Sequence, residues 1–197
     1  MWQDAQKFLQ KDKYIGPLIK KWGDCKITPI KKSLFFEDLV DAITSQQLSG
    51  KAAKTIFGRV KAALHGKITP EAVEKISVVK LRSCGLSFAK CSYVKDLAGK
   101  INKGELKIKL LDKLIDEEVI RELIAVKGIG QWTAEMFLMF SLARPDIFPV
   151  DDLGIKKGFE KVTGKKFDRT KSAEFAKKNW APYRTVASWY LWRSLEN

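Results

Sequence analysis

Two adjacent carboxylates, Asp151 and Asp152, follow a stretch punctuated by Pro145 and Pro149 and precede Leu153-Gly154-Ile155. An acid at the mouth of a helix can cap it. It can also stabilise positive charge developing on a reacting group, or orient and deprotonate a water. Spacing alone does not choose between the two acids. Upstream, Val126-Lys127-Gly128-Ile129-Gly130 reads as a glycine turn that opens a helix near Gln131. Such a turn would present the N–H groups of Gly128, Ile129 and Gly130 to an anion, with Lys127 adding charge, and phosphate is the obvious anion. Other chemistries are limited by inventory. The chain has a single histidine, His65, and three cysteines, Cys25, Cys84 and Cys91, with no C-x-x-C pair. A Cys/His zinc site and a Ser-His-Asp triad are therefore not supported. The reactive groups must be carboxylates, lysines or aromatics.

The elements that would position these groups read as helices. Met136, Phe137, Leu138, Met139, Phe140 and Leu142 make the helix after the glycine turn apolar around its circumference, which predicts burial at the centre of the fold. Ile155, Phe159 and Val162 form the apolar face of the helix after the acids. Elsewhere the pattern gives short helices from Trp2 to Trp22, a helix ending near Thr44 to Gln47, and another from about Ser49 to Leu64 closed by Gly66. Thr69-Pro70-Glu71 and Ser87 read as helix starts, Asp116-Glu117-Glu118 as an acidic first turn, and Tyr183 to Leu195 as the last helix. No β-branched run alternates as a strand would. The predicted class is all-α, with ten or more short helices.

At 197 residues the chain can form one domain or two small lobes. Its formal net charge of +14 favours a polyanionic partner, with nucleic acid ahead of an anionic membrane. No segment approaches the roughly 20 apolar residues of a membrane span, and no apolar run follows Met1, so a cytoplasmic, nucleoid-associated location is expected, or a nuclear one in a eukaryote.

The combination of Gly128-Ile129-Gly130, Trp132-Thr133-Ala134 and Phe148-Pro149-Val150-Asp151-Asp152-Leu153-Gly154-Ile155 resembles the helix-hairpin-helix (HhH-GPD) DNA glycosylase superfamily, and within it the 3-methyladenine DNA glycosylase II branch. Ile43 to Ser49, Leu81 to Ser87 with Lys90, and Trp180 with Trp192 agree with that branch. The resemblance implies a two-lobed fold with an active-site cleft between lobes: a central helical domain over residues 29–148, and a second lobe from residues 1–28 with 149–197. It implies a monofunctional enzyme that flips an alkylated base out of double-stranded DNA and hydrolyses its N-glycosidic bond. The family's catalytic aspartate falls at Asp152. Trp132 and Trp192 match aromatic positions of the base pocket, where an indole face attracts a cationic alkylated purine. Met136 stands where some members have a tyrosine, which leaves the base preference open. Gln47, or alternatively Leu48, matches the wedge that fills the gap left by the flipped nucleotide.

Members that also cut the backbone carry a Schiff-base lysine where this chain has Trp132, so lyase chemistry is not expected. No cysteine follows Cys91, so the four-cysteine iron–sulfur loop of other branches is not expected either. The resemblance implies no catalytic cofactor or metal, allows a monovalent cation at hairpin carbonyls when DNA is bound, and suits a monomer. The alternatives are a glycosylase of the same fold for other damaged bases, and a non-catalytic helix-hairpin-helix DNA-binding protein.

Overall fold

The computed structural model describes residues 1–196, and every regular element among them is helical. In chain order the α-helices are α1 (Gln3–Leu9), α2 (Ile15–Trp22), α3 (Phe35–Ser45), α4 (Gly50–Ala63), α5 (Pro70–Lys75), α6 (Val78–Ser83), α7 (Phe88–Asn102), α8 (Asp116–Ile124), α9 (Gln131–Met136), α10 (Leu153–Thr163), α11 (Arg169–Trp180) and α12 (Arg184–Arg193). The caps follow the side chains: Thr69, Ser77, Ser87, Asp152 and Asp168 each accept a backbone N–H from the first turn of the helix they precede. Gly164, in the left-handed region, ends α10.

The chain divides into two compact units, one of residues 30–134 and one of residues 1–29 with 135–197. The second division falls earlier than residue 148. Ala143 and Phe148 already belong to the core of the terminal unit, beside Ile155, Phe159, Trp180 and Leu191. Each unit carries an equal share of the charge excess: nineteen basic against twelve acidic residues in the central unit, eighteen against eleven in the terminal one.

In the central unit α7 is the axle, packed against α3, α5 and α6 through Cys91, Val94, Leu97 and Ala98. Two of its lysines cap the carbonyl ends of its neighbours. Lys90 Nζ donates to Thr44 O at 2.8 Å and Gln46 O at 2.6 Å, at the end of α3, and Lys95 Nζ donates to the Glu74 and Ile76 carbonyls at the end of α5. Helix-end carbonyls have no partner within the helix, and an ammonium there satisfies both hydrogen bond and dipole. Desolvation holds both lysines below their ordinary pKa.

In the terminal unit α12 is the axle, with Thr185, Val186, Ala187, Ser188, Tyr190 and Leu191 buried. It pins the loop between α9 and α10. Thr185 Oγ1 donates to Arg144 O (2.6 Å) and accepts from the Ile147 N–H (2.9 Å), and Thr185 N–H donates to Pro145 O. Arg184 closes a two-pronged ion pair on Asp146, at 2.7 and 2.9 Å. The helix expected to be buried all round departs from that reading. Its α-helical part ends at Met136, and Phe137–Ser141 form a wide π turn, with Leu142 N–H reaching Phe137 O. Phe137, Leu138 and Met139 are buried, but the turn brings Phe140 to the surface, 41% exposed.

Candidate functional site: an oriented carboxylate and two linked surface loops

Pinning of the 144–147 loop onto α12 delivers Asp151 and Asp152 to the start of α10. The two acids then have different fates. Arg169, the first residue of α11, grips both oxygens of Asp151, Nε to Oδ1 at 2.9 Å and Nη2 to Oδ2 at 3.0 Å. That pairing raises the guanidinium's pKa, with Glu135 adding to it. Asp152 is the N-cap: its Oδ1 accepts from the Ile155 N–H and from the Trp192 indole Nε1–H, each at 2.8 Å. Both donors meet the same oxygen, so the cap and the indole together fix the direction of the carboxylate.

Trp192 is half-buried and lies 5.7 Å, centroid to centroid, from the Phe140 ring, tilted by 32°. Its edge is turned to the carboxylate and one side to Phe140. The ring passes so close to the start of α10 that a Cβ on Gly154 would lie 2.6 Å from it and 3.0 Å from Asp152 Oδ1. The resemblance gives Trp192 as a pocket aromatic, and its donation to Asp152 is a contact that the resemblance does not imply. Met136 is half-buried, one turn after Trp132 on α9, so the two share a helix face. Trp132 itself is 42% exposed in the first turn of that helix.

In the central unit, α8, the turn and the first residues of α9 make the helix-hairpin-helix. Ile129 is buried and anchors the turn, and Lys127 is exposed. Of the three N–H groups expected to face an anion, that of Ile129 is used within the turn, donating to Val126 O at 3.1 Å. Gly128 and Gly130 keep theirs without a partner among the described residues. The Lys127 N–H donates to Asp96 Oδ2. Gly128 sits at φ +80°, where a Cβ would lie 2.1 Å from the Tyr93 ring, so only glycine fits. The second loop, Gln46 to Ser49, places Gln47 and Leu48 at the surface, with Gln47 itself at φ +57°. The Gln46 side-chain amide donates to Gly128 O at 2.8 Å and ties the two loops together. Phe140, Arg169, Gln46, Tyr93 and Asp96 were not singled out from the sequence. Each acts through a partner distant in the chain, and only the family resemblance at Lys90 hinted at its neighbourhood.

An all-helical chain with a glycine hairpin before a helix, and an oriented aspartate opening a later one, has the outline of a helix-hairpin-helix repair protein. The profile of the HhH-GPD superfamily of base excision DNA repair proteins matches residues 40–182, and the chain belongs to that family. DNA-3-methyladenine glycosylase 1 of Schizosaccharomyces pombe is 39% identical over 168 residues, covering 81% of this chain and 72% of the relative. A crystal structure of DNA-3-methyladenine glycosidase from Bacillus halodurans matches with a TM-score of 0.86 and 35% identity, covering 99% of this chain and 90% of that one. The Schizosaccharomyces pombe 3-methyladenine DNA glycosylase Mag1, solved in complex with abasic DNA, gives 0.83 and 33%, covering 99% and 98%.

Proposed function

We propose that the protein is a monofunctional DNA glycosylase that excises alkylated bases of the 3-methyladenine and 7-methylguanine type from double-stranded DNA by hydrolysis. The observation that carries this reading is the division of labour between the acids: Arg169 occupies Asp151, while two donors aim Asp152 from the N-terminus of α10. An N3- or N7-alkylated purine is cationic and a good leaving group, so the enzyme need not supply an acid. As the N-glycosidic bond breaks, the electron pair leaves with the base and the sugar acquires oxocarbenium character. The Asp152 carboxylate stabilises that charge and orients the water that adds to it, accepting its proton. The indole of Trp132, the thioether of Met136 and the indole of Trp192 each suit a cationic base, and Gln47 or Leu48 fills the space that the base vacates.

Gly128 and Gly130 bind a backbone phosphate through their N–H groups. A monovalent cation would draw on the hairpin carbonyls: those of Val126 and Gly128 each accept one hydrogen bond already, which leaves a lone pair apiece. With Trp132 in the Schiff-base position, water is the nucleophile. The protein acts as a monomer wherever the genome is held.

Duplexes carrying 3-methyladenine, 7-methylguanine, hypoxanthine or 8-oxoguanine test the reading. Abasic product is expected from the alkylated duplexes, and Asp152→Asn should slow its formation at least about 100-fold. Borohydride should trap no covalent protein–DNA adduct. Product only from 8-oxoguanine would transfer the activity to oxidised bases. No product from any duplex, with wild type and Asp152→Asn alike, would leave a DNA-binding protein without catalysis.

A further inference from the structure

One face of α7 carries Lys90, Tyr93 and Asp96 at helical spacing, and each holds a different piece of the two linked surface loops. Lys90 Nζ is fixed between the carbonyls of Thr44 and Gln46, at 2.8 and 2.6 Å. The Tyr93 ring fills the space beneath Gly128. Asp96 accepts the Lys127 N–H at 2.9 Å. The two loops are closed on each other by Gln46 Nε2, which donates to Gly128 O at 2.8 Å. The residue after this clamp, Gln47, is held at φ +57°, a left-handed backbone that glutamine rarely adopts and that keeps its place only when its surroundings fix it. The clamp is therefore built around the side chain that the loop presents.

We propose that Lys90 is a positioning residue for base flipping: with Gln46 it locks the 46–49 loop to the hairpin, so that the wedge is already set when the hairpin takes hold of a phosphate. The inference rests on the glycosylase reading and adds a residue that touches neither DNA nor base. Its ammonium is turned inward onto main-chain oxygens, unlike that of a lysine paired with phosphate. A wedge misplaced by an ångström loses much of its effect on the flipping equilibrium and little on the chemistry that follows.

The test compares wild type, Lys90→Met, Lys90→Arg and Gln46→Met in single-turnover excision of 7-methylguanine, paired in a duplex and unpaired in the same strand alone. Lys90→Met should slow duplex excision by about 10- to 100-fold and excision from the unpaired strand by much less. Lys90→Arg, which keeps two donors, should recover most of the loss. The slope of log affinity against log salt should not change, whereas loss of a phosphate contact would lower it by about 0.9. Equal loss on both substrates, a lowered salt slope, or no loss on the duplex would overturn the proposal. Gln46→Met cuts the second tie and reports on the same lock if Lys90→Met fails to fold. A wild type that excises from neither substrate would refute the glycosylase reading. The lock is then read from 2-aminopurine fluorescence opposite an abasic site, where unchanged unstacking in Lys90→Met would overturn it.

Discussion

The Oδ1 of Asp152 accepts from the Ile155 N–H and from the Trp192 indole, so the carboxylate is held from two directions before any substrate arrives. A hydrogen bond to a charged group contributes about 1.5–3 kcal/mol. The site is only partly buried, which puts the effect at the lower end. Trp192→Phe keeps the ring against Phe140 and removes the donor. It should slow single-turnover excision by about tenfold while leaving affinity for abasic DNA nearly intact. An unchanged rate would show that helix capping alone fixes the carboxylate. The place of Asp152 at the mouth of a helix was legible because the motif around it is contiguous, Asp-Asp-Leu-Gly-Ile. That Asp151 pairs with a guanidinium was not legible, because Arg169 lies 18 residues on. Trp192 is 40 residues from Asp152, and its indole reaches the carboxylate only because α10 packs on α12.

At the level of elements, the hairpin and the π turn define what periodicity could and could not reveal. Glycines on either side of Ile129 announced the turn, since few other arrangements place two glycines before a helix. Packing of Tyr93 under Gly128 was hidden, because it depends on where α7 lies. Gly128→Ala would meet both the +80° backbone and the Tyr93 ring. It should cost about 1–3 kcal/mol of stability in chemical denaturation and weaken DNA binding. An unchanged denaturation midpoint would mean that Tyr93 moves aside freely. The segment after the hairpin is apolar all round only on a 3.6-residue period, which its π turn does not keep. Five residues in a wide turn shift the register, so Phe140 emerges beside Trp192 although its neighbours are buried.

For the molecule as a whole, the helical class and the helix termini were readable from caps and glycines, while the second boundary between units, at residues 134 and 135, was not. A chain passing from one core to the other inside a helix leaves no proline or glycine to mark the place. Stability should also carry an alkaline limit. Burial pushes the Cys25 thiol up to about 11 and the Tyr190 hydroxyl up to about 12. Between their ordinary values and these, the unfolded chain loses protons that the folded chain keeps. Their contribution is intact below about pH 9 and disappears as pH rises through 11 and 12. Urea midpoints that hold flat from pH 8 to 11.5 would contradict this.

The charge excess, divided equally between the units, has a kinetic consequence. A surface of this sign grips any duplex, damaged or not, and grips the abasic product as well. At low ionic strength, dissociation should therefore limit repeated cycles: the first equivalent of base leaves quickly and a slow steady state follows. As salt rises, the initial burst should shrink into the steady rate, until weak binding lowers both. A time course of base release, run with substrate in excess at several salt concentrations, reads this directly, and a linear course at low salt would rule it out.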